Sequence, residues 1–420
     1  MTAVVSAGRP GVFASLRVPN YRLYAGGQVV SLVGTWMQRV AQDWLVLDLT
    51  GGSATALGIA AALQFSPTLL LSLWGGVLAD RLDKRRMLVV LQTAMGLCAL
   101  GLGAAVLTGV VAIWQVYLLC ALLGAFSALD VPTRQSFVTE MVGPDQVGNA
   151  VALNSLTFNL ARVVGPSVAG LLVVAVGTGW VFLINAASFA AVVAGLALMD
   201  PARLFRAPPV PRQPGQLRAA LRYVRGRPDL VALLTLVFLV STFGINFYLT
   251  LPLLARNVFA SGPEAYGLLT TLVAVGSVIG AVVAARREGR PRLRFVTGAA
   301  LAFGLLVAAA GLMPTLVLSG LVLVPVGIAA LTFTTAANSA VQLSVDPSMR
   351  GRVMGLYILL FLGGTPAGGP LLGLLAERLG GRAPLVLGGL VTLVSVAVVG
   401  LLLARRARRE GALQAEQRLG

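Results

Sequence analysis

Apolar residues in this chain fall into long continuous runs, and nothing else in the sequence limits its fold as strongly. Twelve runs lie near 23–47, 55–79, 87–108, 112–130, 149–176, 180–199, 230–255, 265–285, 295–311, 315–337, 353–375 and 384–404. A helix that spans a bilayer needs about 20 apolar residues, so twelve of them need about 240. Hydrophobic types make up 57% of the 420 residues, which meets that demand. Charged types make up only 11%, too few to coat a soluble globule of this size. The runs are continuous rather than alternating, which argues against a transmembrane β-barrel. The expected fold class is an all-α membrane protein: twelve transmembrane helices in two pseudo-symmetric six-helix bundles.

Charge placement gives the topology. The formal charge of +17 would suggest nucleic acid in a soluble protein, but here position matters more. With a cytoplasmic N-terminus, 27 of the 32 lysines and arginines fall on the cytoplasmic side and three, Arg256, Arg378 and Arg382, on the other. That bias obeys the positive-inside rule and leaves both termini cytoplasmic. The basic charge is then a topology signal with a secondary attraction to anionic lipids, and no nucleic-acid partner is expected. The longest polar stretch, 200–229, holds six prolines and seven arginines. It divides the chain into an N-terminal bundle over 1–199, a linker over 200–229, a C-terminal bundle over 230–404 and a basic tail over 405–420. A shift of 203 residues places Pro144 on Pro347, Gly148 on Gly351, Gly170 on Gly373, Leu171-Leu172 on Leu374-Leu375 and Asp43 on Asn246. Such internal repetition is how many secondary transporters are built, with substrate held between the repeats.

The polar residues inside the runs are the candidate machinery. Arg162 sits near the middle of the fifth run, where insertion scales put its cost at about 2.5–3.5 kcal/mol or more. Ser155 and Asn159 share its helical face at intervals of four and three. These three residues are expected to line a substrate cavity; the alternative is a buried ion pair that only holds helices together. The first run carries a polar stripe, Gln28, Ser31, Thr35, Gln38 and Gln42, together with Arg39 and Asp43, four apart and able to pair. Gln38 and Gln42 join the cavity list, and Arg39 and Asp43 are read as a gating or coupling pair or as a stabilising one. The seventh run contributes Thr242 and Asn246, and the eleventh Tyr357. A mostly apolar cavity with scattered amides and hydroxyls suits a bulky amphipathic molecule. Asp130, at the edge of the fourth run, is a further coupling candidate, placed to pair with Arg134 or to approach Arg162. Glu140 reads as solvated.

No histidine is present, and Cys98 and Cys120 lie inside apolar runs without metal-ligand spacing. No Gly-rich nucleotide loop of the Lys-Ser/Thr type occurs. The chain is therefore read as no enzyme, without cofactor or metal. Its partners would be a small-molecule substrate, the proton gradient and membrane lipids, and it is read as a monomer.

The loop after the second run reads Gly76-Val-Leu-Ala-Asp80-Arg81-Leu-Asp83-Lys84-Arg85-Arg86. It resembles the second-loop signature of the major facilitator superfamily, with Asp83 in place of the usual second glycine. The resemblance implies a latch in which Asp80 faces the positive end of a helix in the other half and Arg81 and Arg85 add contacts. Gly165-Pro166-Ser-Val-Ala-Gly170 resembles the motif associated with antiporters of that superfamily, with Gly276-Ser-Val-Ile-Gly280 as the helix expected to face it. The arginine motif of the fourth span is absent from 112–130. The stretches 34–46, 130–138 and 149–155 are similar to the branch of bacterial exporters that includes enterobactin and macrolide efflux carriers. That resemblance implies export from the bacterial plasma membrane by alternating access, coupled to protons. An importer of a small metabolite, or a membrane sensor without transport, would be the alternatives.

Overall fold

The computed structural model describes residues 13–205, 216–286, 289 and 291–419; it leaves out the side chains of 72–77, 79, 80, 216, 217 and 402–419. Fourteen α-helices are present among the described residues, and no strand. They are α1 (Pro19–Leu49), α2 (Ala54–Arg81), α3 (Lys84–Leu107), α4 (Ile113–Val142), α5 (Val147–Val176), α6 (Thr178–Ala197), α7 (Gln216–Arg225), α8 (Pro228–Leu239), α9 (Phe247–Leu253), α10 (Pro263–Ala285), α11 (Leu293–Leu312), α12 (Leu316–Ser344), α13 (Pro347–Leu379) and α14 (Ala383–Leu419). Eleven segments are long and apolar enough to cross a membrane, the eighth and ninth helices counting together as Pro228–Val258. The first helix, with 31 residues, is long enough, but its polar stripe keeps it out of that set. Counting it gives twelve spans, as the apolar runs predict.

The helices outrun the apolar stretches that predict them. The fourth reaches Val142 rather than 130, and the thirteenth begins at Pro347 rather than 353. A run of apolar residues marks the part of a helix that lipid must solvate, whereas the backbone ladder continues until a cap ends it. Gly143 ends α4 with a φ of 71°, a left-handed conformation that glycine adopts freely. One consequence corrects the sequence reading. Arg134, expected in a loop, lies inside the fourth helix, so that helix does carry an arginine.

The chain divides into two compact units. One contains Met1–Leu45 and Ser66–Pro211, the other Val46–Phe65 and Arg212–Gly420. The first unit packs α3 between α4 and α6, with α5 against both α4 and α6. Small residues let the backbones approach: a Cβ on Gly27 of α1 would stand 2.9 Å from the carbonyl oxygen of Ala191 in α6. In the second unit α10 lies along α12, and α11 along both α12 and α14. Gly276 and Gly280 of α10 interlock with Val324, Gly327 and Ile328 of α12. The expectation that they face Gly165 is therefore corrected; Gly165 packs on Val33 and Trp36 of α1 in its own unit.

Two further segments depart from expectation. The linker is not all loop: α7 forms within it, buries Ala220 and Val224, and bonds the Tyr223 hydroxyl to Asp346 Oδ2 at 3.0 Å. Residues 46–65, the end of the first span and the start of the second, belong to the second unit. There Glu377 of α13 accepts the backbone N–H of Thr55 at 2.9 Å, at the start of α2, and Arg256 pairs with Asp48. Gly58 rests on the backbone of Gly369 and Pro370.

A Gly327→Val substitution drives a branched side chain into the backbone of α10. The expected cost is about 1–3 kcal/mol, read as a lower thermal midpoint of the detergent-purified protein; an unchanged midpoint would contradict this packing.

Candidate functional site

The first unit holds most of the candidate residues, positioned along α1. Its stripe recurs at three and four residues, so it forms one face, and that face is turned inward: Gln28, Ser31, Gln38, Gln42 and Asp43 are all buried. Gln38 Oε1 accepts from Asn185 Nδ2 of α6, and Ser188 Oγ donates to Asn185 Oδ1 at 2.9 Å. Gly34 leaves room for this cluster; any Cβ there would strike Asn185 and Ser188. Gln38, expected to line a cavity, is thus committed to joining α1 to α6. Lipid offers no partner for an amide, which makes such a bond a strong positional constraint. Gln42 is 1% exposed and equally internal.

The neighbouring part of α1 meets α5. Trp36 packs edge-to-face on Phe158, ring centroids 5.8 Å apart, and the Arg39 guanidinium stands 5.2 Å from the Trp36 ring centre. Arg162 lies about 22 Å from either end of α5. It is half-buried, and its Nε and Nη2 atoms are fully buried. One turn before it, Asn159 donates to the Ser155 carbonyl at 2.8 Å, and Ser155 is exposed. One turn after it, Pro166 has no N–H to offer the Arg162 carbonyl, so α5 can bend there. Guanidinium donors and a backbone acceptor are gathered at one depth.

A second cluster lies deeper in the unit. Asp130, 4% exposed, accepts from Gln92 Nε2 of α3 at 2.8 Å and pairs with Arg134 Nε at 3.3 Å. The i,i+4 pairing is the expected one. Tyr24 of α1, 2% exposed, interacts electrostatically with both charges. Glu140, read as solvated, is instead buried and bonded to Lys84 at 2.7 Å. Burial became possible because α3 begins at Lys84, beside the end of α4.

In the loop after α2, Asp83 caps α3 by accepting the N–H of Arg86 at 2.9 Å. A capping aspartate serves here where the related signature has glycine. Arg85 donates to the carbonyls of Leu196 and Ala197 at 2.7 and 2.8 Å, capping α6 with a cation at its negative end. That holds Arg85 within its own unit. Arg81 is exposed, and the Asp80 side chain lies outside the described residues.

In the second unit the seventh span is broken. A π-helical turn, Val240–Gly244, separates α8 from α9, and another, Leu254–Val258, follows α9. Thr242 and Asn246 sit at the first break, both buried. The Thr242 hydroxyl donates to the Phe238 carbonyl at 2.6 Å, and Asn246 Nδ2 donates to the Thr242 carbonyl. These bonds satisfy backbone groups that the wide turn releases. Gly364 and Gly368 of α13 press against Thr242. Tyr357, also on α13, is buried, stacks on Phe361 at 6.1 Å and donates to the Thr334 carbonyl at 3.3 Å.

Gln92, Asn185 and Ser188 are absent from the sequence-based site. Their signal is present as amides and a hydroxyl inside apolar runs, Asn185 and Ser188 lying three apart on one helical face.

The chain matches the transmembrane secretion effector family, MFS_3, over residues 10–419. It is 27% identical over 393 residues to the enterobactin exporter EntS of Citrobacter koseri, covering 92% of this chain and 91% of that one. It is 28% identical over 262 residues to the staphyloferrin A transporter of Staphylococcus aureus, covering 60% of this chain and 63% of that protein. Among solved structures, a bacterial homologue of the human lysosomal transporter Spinster, inward-facing and occupied, superposes with a TM-score of 0.71 at 16% identity, over 91% of this chain and 96% of that one. The nucleoside transporter NupG superposes with a TM-score of 0.71 at 14% identity, over 94% and 99%. At these identities the structural likeness concerns the fold.

If Gln38 and Asn185 bind each other as drawn, Gln38→Leu and Asn185→Leu are not additive. A double-mutant cycle on unfolding in mixed micelles is expected to give a coupling of about 0.6–1.7 kcal/mol; additive effects would show that they act separately.

Proposed function

Because the chain belongs to the transmembrane secretion effector family, whose members are transporters and not enzymes, we propose that it exports a bulky amphipathic small molecule of the siderophore or drug kind. It does so across the bacterial inner membrane by alternating access, coupled to the proton gradient. The observation that carries this reading is the match to an enterobactin exporter along 92% of the chain. The distribution of arginines supports termini on the cytoplasmic side. The same sequence reading divides the chain into bundles over 1–199 and 230–404, joined by 200–229 and followed by the tail 405–420. It works as a monomer.

Arg162 is the substrate-contacting residue in this reading, with Asn159 and Ser155 on its face. A half-buried guanidinium at mid-depth keeps its cost low by serving polar groups, and a substrate rich in oxygen atoms adds to those the protein supplies. Gln42 is a further cavity residue of the first unit in this reading, and Thr242, Asn246 and Tyr357 are those of the second. Gly165 and Pro166 supply the bend that lets α5 move. Arg39 and Asp43 gate α1. Asp80 and Arg81 form the latch that the loop signature implies. Arg85 contributes by holding α6 to that loop. Proton coupling falls to Asp43 or Asp130.

Inverted membrane vesicles that contain the wild-type protein should accumulate iron-free enterobactin. With Arg162→Ala, at equal amounts of inserted protein, accumulation should fall at least about tenfold, equivalent to 1.4 kcal/mol. Equal accumulation would remove Arg162 from the transport path, and movement only in the opposite direction would overturn export.

A further inference from the structure

We propose that Asp130 is the carboxylate that binds the coupled proton and that Gln92 is its positioning residue. This rests on the proton-coupled export reading above and selects one carboxylate within it. Among the described side chains of the first unit, three buried carboxylates compete for the role. Glu140 lies two residues from the end of α4 and is neutralised directly by Lys84 at 2.7 Å. Asp43 lies six residues, about 9 Å, from the end of α1. Asp130 lies about 18 Å from the Val142 end of α4 and about 25 Å from the other, the farthest of the three from a helix end.

The surroundings of Asp130 suit a group that changes protonation. Its Oδ1 takes the Gln92 N–H, and its Oδ2 faces Arg134 at 3.3 Å. Tyr24 of α1 is a further titratable group that interacts with it. Gln92 is itself 3% exposed, and its Oε1 is buried without a hydrogen-bond partner among the described residues. An amide that leaves its acceptor idle beside a carboxylate has two usable faces. With Asp130 ionised, the N–H of Gln92 donates to it. With Asp130 protonated, a half-turn of the amide presents Oε1 to the new O–H. Each state leaves one amide atom idle, and the charge-assisted bond to the ionised carboxylate is the stronger of the two, so Gln92 tilts Asp130 toward the ionised form without locking it there.

The proton bond balances simply. A proton from the aqueous phase adds to Oδ1, no covalent bond in the protein breaks, the Gln92 N–H bond is exchanged for one from the new O–H to Oε1, and the Asp130–Arg134 pair goes from neutral to a net charge of +1. Arg134 then loses its counter-ion inside the bundle. A buried unpaired cation is costly, so Arg134 must turn toward water or toward Tyr24, and α1, α3 and α4 adjust around it. In this way a proton at Asp130 is converted into a shift of α1, the helix that carries Gln38, Arg39 and the Trp36 contact with α5.

The test is an infrared difference titration of the full-length protein in lipid, with transport of iron-free enterobactin measured under imposed pH gradients. On acidification the wild type should gain a carboxylic-acid C=O band that Asp130→Asn lacks and Asp130→Glu restores at a shifted frequency. Gln92→Leu removes the bond that favours the ionised form, so the midpoint of that band should move to higher pH by about one unit. Transport by Asp130→Asn should no longer respond to the pH gradient. A titration unchanged by both Asp130 substitutions overturns the proton site, and an unmoved midpoint in Gln92→Leu overturns the positioning role. Gradient-driven accumulation that survives Asp130→Asn overturns the coupling. Should the wild type move no enterobactin, the export reading for that probe fails, while the infrared titration still decides whether Asp130 takes the proton.

Discussion

Lipid cannot hydrogen-bond, and the first unit is organised around that fact. An amide, hydroxyl or charge set on an inward helix face has to find its partner within the protein, because the surrounding medium supplies none. Gln38 on α1 finds Asn185 on α6, Gln92 on α3 finds Asp130 on α4, and Lys84 finds Glu140. Each bond fixes the rotation of a helix about its own axis, which apolar packing alone would leave weakly determined. The apolar residues place the helices in the membrane, and these few polar pairs decide which faces meet.

Backbone irregularity follows the same rule. In α5 the bend is available at Pro166, whose missing N–H is the one the Arg162 carbonyl would have used. In the seventh span the π turn around Thr242 releases carbonyls, and Thr242 and Asn246 recover them with their own side chains. Both irregularities occur beside the polar residues assigned to transport. A helix can deviate at membrane depth only where the protein itself supplies replacement hydrogen bonds, and polar side chains are the means.

Much of this was legible beforehand. The runs mark twelve spans because the length of a helix across lipid is set by the bilayer, and the spacing of Asp130 and Arg134 predicts their pairing because helix geometry is local. Glu140 was misjudged for an equally physical reason. Its partner, Lys84, is 56 residues away, and no local pattern reveals that two helix ends will meet. Gln38 illustrates a subtler limit. Its face was read correctly as one stripe, yet whether a stripe faces a cavity or a neighbouring helix depends on what packs against it, and Asn185 decided that. Arg134 lies beyond the fourth apolar run yet inside α4, because backbone hydrogen bonding, not apolar content, ends a helix.

Sequence alone therefore determined the solvent, the number of crossings and the polar stripe of the first span, since each follows from transfer free energy and from the local geometry of a helix. Tertiary structure decided which polar residue answers which, where the helices break, and that residues 46–65 pack with the second unit. Those outcomes depend on pairings between segments tens to hundreds of residues apart, and such pairings are selected by the joint fit of several helices rather than by any one stretch of chain.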